Sequence, residues 1–211
     1  IKGESSNKTI KSDYQEIIDY IALHRDSVKE VALVGGEPLM MKENDQLLDI
    51  LPDDVLVTVI TNMTTDFERM PVPQKLLKRS KVGWSMSFDN IKDRFEYVRW
   101  GSTWQRFNKN VQTVVDRVAT SEQNCGIQAV YNIYNCTKLC ELKQYAVERN
   151  LNICWQYVWG DQLDPHQHNV KIRDLAVAEL KRYRDRFALR TMESEFVQQQ
   201  LEQYANINLS L

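Results

Sequence analysis

The sequence predicts an α/β fold, because short runs of apolar and β-branched residues alternate with helical stretches from about residue 13 to 159. Strand-like runs fall at 31–34, 55–61, 82–88, 127–133 and 153–159. Strands alternating with helices of this length pair in parallel through crossovers, which gives an open sheet or a barrel with helices outside. The third observation is size: 211 residues at 43% hydrophobic suit one domain, since layered α/β folds and α/β barrels run to roughly 200–250 residues. A chain of this length buries about two-thirds of its unfolded surface, so neither disorder nor a small disulfide scaffold is expected.

Ser12-Asp13-Tyr14-Gln15 has the form of a capping box, and Ile17, Ile18, Ile21 and Ala22 behind it make a helical stripe, predicting a helix over 13–25. Val31-Ala32-Leu33-Val34, stopped by Gly35-Gly36, reads as a strand buried on both faces. A later helix starts near Ser102 or Thr103 and carries Phe107, Val111, Val114, Val115 and Val118. Another begins at Thr137, presents Leu139, Leu142 and Ala146, and ends at Asn150, which suits a left-handed terminal position. Beyond Trp159 the alternation stops. A loop from Gly160 to Pro165 leads to helices over 172–188 and 192–205, so residues 1–160 are expected to form the alternating unit and 161–211 a loop and helices packed on the same domain. The chain opens on a helix with no strand before it and starts at Ile1 rather than Met, the order expected of a processed chain or a piece of a longer one.

Lys and Arg total 27 against 29 Asp and Glu, a formal charge of −2 that argues against a dedicated nucleic-acid binder. No window approaches the roughly 20 apolar residues of a membrane span, and residues 1–8 contain no apolar signal core, so a cytoplasmic protein with no membrane partner is expected. Cys125, Cys136, Cys140 and Cys154 are then reduced, and read as small buried hydrophobes.

Ligands of parallel α/β folds bind at the carboxyl ends of the strands. There the sequence places Gly35-Gly36-Glu37-Pro38, Thr61-Asn62, Ser85-Met86-Ser87-Phe88-Asp89, Asn132 and Asn135, and Gln156. Two adjacent glycines let backbone approach a ligand closely, and Glu37 beside them can hold an ammonium group, a receptor for the zwitterionic end of an amino acid. Ser87 and Asp89 suit ribose hydroxyls, and Arg94 or Arg99 can pair with a carboxylate.

Val34-Gly-Gly-Glu-Pro-Leu39, the Thr61-Asn62 strand end, the Ser-x-Ser-Phe-Asp strand at 85–89, and Arg99-x-Gly101-Ser102-x-Trp104-x-x-Phe107 before a helix together resemble the radical S-adenosylmethionine enzymes, in the accessory or twitch-type branch. The resemblance runs from about residue 13 to 160. It implies an incomplete (β/α) TIM-like barrel with five parallel strands plus carboxyl-terminal helices. It also implies that Gly35, Gly36, Glu37 and Pro38 cradle the methionine amino group of S-adenosylmethionine, Ser85, Ser87 and Asp89 touch the ribose, and Arg99, less readily Arg94, meets the carboxylate. Asn62 belongs to the same cofactor set, and Asn132 and Gln156 face ribose or adenine. Asp89 is equally readable as a capping residue.

The family's Cys-x-x-x-Cys-x-x-Cys loop, which holds a four-iron four-sulfur cluster, has no counterpart; Cys136-x-x-x-Cys140 is the nearest spacing, and Lys143 stands where a third cysteine would fall. The implied reading is a fragment of an enzyme that reductively cleaves S-adenosylmethionine to a 5′-deoxyadenosyl radical acting on an unknown substrate. The chain would keep the cofactor motifs and bind no cluster itself. The alternative is a non-catalytic barrel that binds a nucleoside or an amino acid, or acts as a scaffold. Without a strand ahead of 31–34, that strand has an unpaired edge, so self-association or coverage by residues 1–12 is expected.

Other clusters have plainer readings. His166-x-His168 with Asp161 and Asp164 is read as a polar loop rather than a metal site. Lys181, Arg182, Arg184 and Arg186, interleaved with acidic residues, make a solvated helix face. Trp84, Trp100, Trp104, Trp155 and Trp159 read as core or barrel-mouth aromatics, the last two alternatively as lining of a substrate pocket.

Overall fold

Five strands pair in parallel and in chain order, β1-β2-β3-β4-β5, into one sheet that does not close. The computed structural model describes residues 10–158, 160 and 162–209. The strands are β1 (Glu30–Leu33), β2 (Leu56–Thr61), β3 (Val82–Ser87), β4 (Asn124–Tyr131) and β5 (Asn152–Tyr157). The helices are α1 (Ile10–His24), α2 (Lys42–Ile50), α3 (Pro71–Lys78), α4 (Asp93–Val98), α5 (Trp104–Val118), α6 (Leu139–Val147), α7 (Val170–Arg186) and α8 (Thr191–Leu209). This is the α/β architecture of an incomplete barrel. No helix among the described residues is long and apolar enough to cross a membrane.

Alternation along each strand sorts the side chains onto two unequal faces. Val57, Val59, Val82, Trp84, Met86, Ile127, Ala129, Ile153 and Trp155 are buried on the face covered by helices. The other face carries Thr58, Ile60, Ser85, Ser87, Gln128, Cys154 and Gln156 and stays partly or fully exposed. The covered face is polar where polarity can be satisfied: the Trp84 indole N–H donates to Gln123 Oε1 at 2.9 Å, and the Gln123 amide donates to the carbonyls of Leu76 and Arg79.

The open face corrects two expectations. The 31–34 run is buried on one side only: Leu33 is buried, whereas Ala32 is exposed and Val34 is 53% exposed. Cys154 is likewise exposed and Cys125 half-buried, while Cys136 and Cys140 are buried. For Ala32, Val34 and Cys154 the cause is a sheet that does not close and leaves one face without a covering layer; Cys125 lies on the covered face, near the start of β4, and packs against the core.

Three local corrections follow. Ser12 lies within α1 instead of capping it, and Gln15 donates to Asp19 one turn on at 2.8 Å rather than reaching back. Trp100 is 94% exposed, because Gly101 at φ +86° turns the chain before α5 and leaves the indole outside the Phe95–Trp104–Phe107 cluster. β4 begins at Asn124, three residues before the expected start at 127. Trp159, Asp161 and residues 1–9, which carry parts of the strand, metal-loop and edge-cover expectations, lie outside the described residues. Asn150 has the expected left-handed conformation, φ +53°.

α7 and α8 are fastened to the end of the sheet by a buried polar network. Lys143 Nζ of α6 donates to both carboxylate oxygens of Glu193 in α8 at 2.6 and 2.7 Å, the Tyr183 hydroxyl donates to Glu193 Oε1 at 2.6 Å, and Trp155 of β5 donates to Tyr183 at 3.2 Å. Phe196 of α8 stacks on Trp155 with centroids 5.5 Å apart. Lys181, Arg182, Arg184 and Arg186 are exposed, as a solvated helix face requires.

Candidate functional site

The loop after β1 is built around Glu37. Gly35 adopts φ +125°, a conformation that penalises any Cβ, and neither it nor Gly36 has another atom within 4 Å of where a Cβ would stand. That exposed backbone has room for a ligand to approach. Glu37 then caps the 3₁₀ turn Pro38–Met40, Oε1 accepting from the Leu39 N–H at 3.1 Å. The same oxygen accepts from Thr61 Oγ1 at 2.7 Å, and Oε2 accepts from the Asn62 N–H at 2.9 Å. A carboxylate has about four lone-pair sites, so Oε2 keeps acceptor capacity for an ammonium group. Pro38 is buried, and its carbonyl accepts from Asn44 Nδ2 at 2.9 Å; Asn44 in turn accepts from the Tyr14 hydroxyl at 3.0 Å, bracing the loop from the helix layer. Asn62 Oδ1 accepts from the Thr64 N–H and hydroxyl, which fixes the turn after β2.

A second cluster stands at the carboxyl end of β3. The short helix α4 carries the chain back so that Arg99 Nη2 donates to the Ser87 carbonyl at 3.0 Å, lies 3.4 Å from Ser87 Oγ, and sits 3.8 Å from Asp89 Oδ2. Asp89 Oδ1 accepts from the Val130 N–H at 2.7 Å, closing the gap between β3 and β4. Burial pushes the Asp89 carboxyl above its ordinary value of 3.8, against the opposing pull of the Val130 N–H and Arg99. Arg94, the other candidate cation, pairs instead with Glu141 of α6.

The remaining sequence-chosen residues divide. Ser85 and Ser87 share the open face with exposed Gln156. Asn132 is buried and spends its side chain on its own turn, donating to the Val130 carbonyl and accepting from the Tyr134 N–H. Asn135 does similar work, bridging the carbonyls of Val130 and Asp89.

Register reveals residues that the motif reading missed. Ser87 pairs with Gln128, and Gln128 with Cys154, so these three make one row across the open face. Gly83 and Gly126 lie in the same face, and a cavity of about 590 Å³ there is lined by Thr58, Ser85, Asn124, Gln128, Cys154 and Arg190. The signal was available in principle, since Gln128 lies an even number of residues from Gly126 and Val130, but nothing in the sequence said that the face stays open.

The residues present do not fit an iron–sulfur cluster. Among the described residues no group of three or more His, Cys, Asp or Glu is placed to hold a metal ion. Cys136 and Cys140 are buried; burial pushes the Cys136 thiol up to about 11 and raises that of Cys140, the reverse of what a thiolate ligand needs. His166 Nδ1 pairs with Asp164, while His168 Nε2 meets the Gln162 carbonyl.

No protein-family model and no curated protein matches the chain. Among solved structures, anSMEcpe with bound AdoMet superposes with a TM-score of 0.58 at 13% identity, over 87% of this chain and 52% of that one. The anSMEcpe complex with AdoMet and the Cp18Cys peptide gives 0.56 at 15% identity, over 83% and 51%. Streptococcus suis SuiB bound to S-adenosylmethionine gives 0.56 at 18% identity, over 85% and 38%. The chain thus spans about half the length of anSMEcpe and less of SuiB. At these identities the likeness establishes architecture: the chain has the incomplete-barrel α/β fold found within anSMEcpe and SuiB.

Proposed function

We propose that this chain is the S-adenosylmethionine-holding part of a radical S-adenosylmethionine enzyme. The observation that carries the reading is the Ser87–Asp89–Arg99 cluster, which gathers a hydroxyl, a carboxylate and a guanidinium at one strand end, two strands from the Gly35–Glu37 loop. The anSMEcpe and SuiB structures compared above were solved with S-adenosylmethionine bound. In this reading the amides of Gly35 and Gly36 and the free acceptor capacity of Glu37 take the amino-acid end of the cofactor. Pro38 and Asn62 shape that loop. Arg99 takes the carboxylate through the guanidinium nitrogens not spent on Ser87, and Ser85, Ser87 and Asp89 take the ribose. Asn132 supports the wall from its turn, and Gln156 reaches the adenosyl group from β5. An iron–sulfur cluster would supply the electron for cleavage in a whole enzyme. The described residues offer no ligand set for one, so the role assigned to this chain is holding the cofactor.

Calorimetric titration with S-adenosylmethionine tests this. Weak saturable binding is expected, lost in Arg99→Ala and kept in Arg94→Ala, whose partner is Glu141. No binding, or binding indifferent to Arg99, overturns the reading. Anaerobic treatment with iron and sulfide is expected to give no four-iron spectrum, and a stable cluster of that kind would overturn the division of roles.

A further inference from the structure

Behind the carboxyl ends of β4 and β5, away from the site above, lies a cavity of about 150 Å³ whose lining includes Tyr131, Tyr157, Asp164, His166 and Gln200. Gln200 is 0% exposed, yet neither Nε2 nor Oε1 has a hydrogen-bond partner among the described residues. His166, 9% exposed, leaves Nε2 without a partner in the same place. Buried polar atoms are almost always paired, because an unpaired one forfeits its hydration for nothing. Three such atoms around one small cavity describe a receptor.

The surrounding contacts fix what each atom offers. Asp164 Oδ1 lies 2.7 Å from His166 Nδ1 and also accepts the His166 backbone N–H at 3.0 Å. A carboxylate only accepts, so Nδ1 carries the hydrogen, and in that tautomer Nε2 is the ring's acceptor. Tyr204 stacks on the imidazole with centroids 4.1 Å apart, and its hydroxyl is taken by Tyr131 at 3.0 Å. The Tyr157 hydroxyl donates to Gln199; burial raises that phenol above its ordinary value against a smaller opposing pull from Gln200, whose amide atoms lie outside hydrogen-bond geometry. What remains buried and unpaired is one N–H₂ donor, Gln200 Nε2, and two acceptors, Gln200 Oε1 and His166 Nε2, between aromatic walls.

The complement of that set is planar, with two N–H donors and one carbonyl acceptor. A carboxylate lacks donors and would meet Asp164, and an ammonium lacks the acceptor that Gln200 Nε2 needs. A volume of about 150 Å³ holds a group of up to about six non-hydrogen atoms. We propose that this cavity binds a primary carboxamide, held by the Gln200 amide and His166 Nε2.

The test follows the His166 ring signals by NMR in the full chain during titration with acetamide, N-methylacetamide and acetate. Acetamide is expected to shift them saturably, with a dissociation constant of about 1 mM, as befits so small a ligand. N-methylacetamide, one donor short, is expected to bind about fivefold more weakly or worse. Acetate should give no saturable shift. Gln200→Leu is expected to abolish the acetamide response, with Gln200→Met read in its place if the leucine variant does not fold. A shift equal for all three probes, a response retained in the folded variant, or an acetamide-soaked crystal showing ordered water only would each overturn the proposal.

Discussion

Thr61 donates its hydroxyl hydrogen to Glu37 Oε1 at 2.7 Å, tying the loop after β1 to the last residue of β2 across 24 positions of sequence. Thr61 is buried, and the Asn62 N–H leans on the same carboxylate, so the glutamate organises the strand end. Glu37→Ala leaves three donors, the Thr61 hydroxyl and the Leu39 and Asn62 N–H groups, without this acceptor and is expected to cost about 1–3 kcal/mol of stability. Urea unfolding reads this directly. An unchanged midpoint would mean that the loop relaxes to water without loss, and that Glu37 serves the ligand alone.

Asp89 gives the strand end a pH dependence whose sign can be worked out. Its folded-state carboxyl titrates above the ordinary 3.8, so over the window from that value upward the native state binds more protons than the unfolded chain. Stability contributed by this group is therefore fully present below the unfolded value and lost as pH rises through the folded one. Asp89→Asn keeps an oxygen for the Val130 N–H while removing the buried charge. Relative to this variant the parent should lose stability as pH climbs from about 4 toward neutrality. Parallel stability curves for the two proteins would contradict the burial argument.

These two residues also show how far the sequence could be read. Glu37 and Asp89 stood out because a polar residue ending an apolar run in an α/β chain falls where loops gather, and the fold class followed from the same alternation. The partners were not visible. Thr61 for Glu37 and Val130 for Asp89 come from strand register, which depends on how the sheet assembles. Cys154 and Ala32 depart from the sequence expectation for a related reason: their strands have the composition of buried ones, and only the unclosed sheet exposes them. Asn132 looked like a ligand group, yet both ends of its amide serve its own turn, a local use that short polar side chains often have.

The Lys143–Glu193 pair, 50 residues apart in sequence, had no signature at all, and it supports the sharpest stability prediction. The two side chains are 7% and 3% exposed, so removing either leaves a charge stranded in the interior. Glu193→Ala is expected to cost about 3–5 kcal/mol, whereas the joint replacement Lys143→Met with Glu193→Leu should cost much less, because no charge is left unpaired. Thermal unfolding of the parent and these two variants separates a buried ion pair from mere packing. Equal losses in the single and double variants would show that shape, and not charge, holds α8.

The edge of β1 is the last feature with a consequence in solution. Among the described residues β1 pairs with β2 alone, and Ala32 and Val34 are exposed beside that edge. A free strand edge presents unpaired N–H and C=O groups to any other chain. Charged side chains that would repel an incoming strand are sparse here: β1 carries Glu30, and its carboxylate accepts from Thr58 of β2. Self-association should therefore rise with concentration in sedimentation velocity, and the amide protons of β1 should gain protection from exchange as it does. Ala32→Lys places a charge on the exposed face of that strand and is expected to return the protein to monomer without changing its unfolding midpoint. If the parent stays monomeric at high concentration and its β1 amides exchange rapidly, the edge is open and unused, and the template argument fails for this chain.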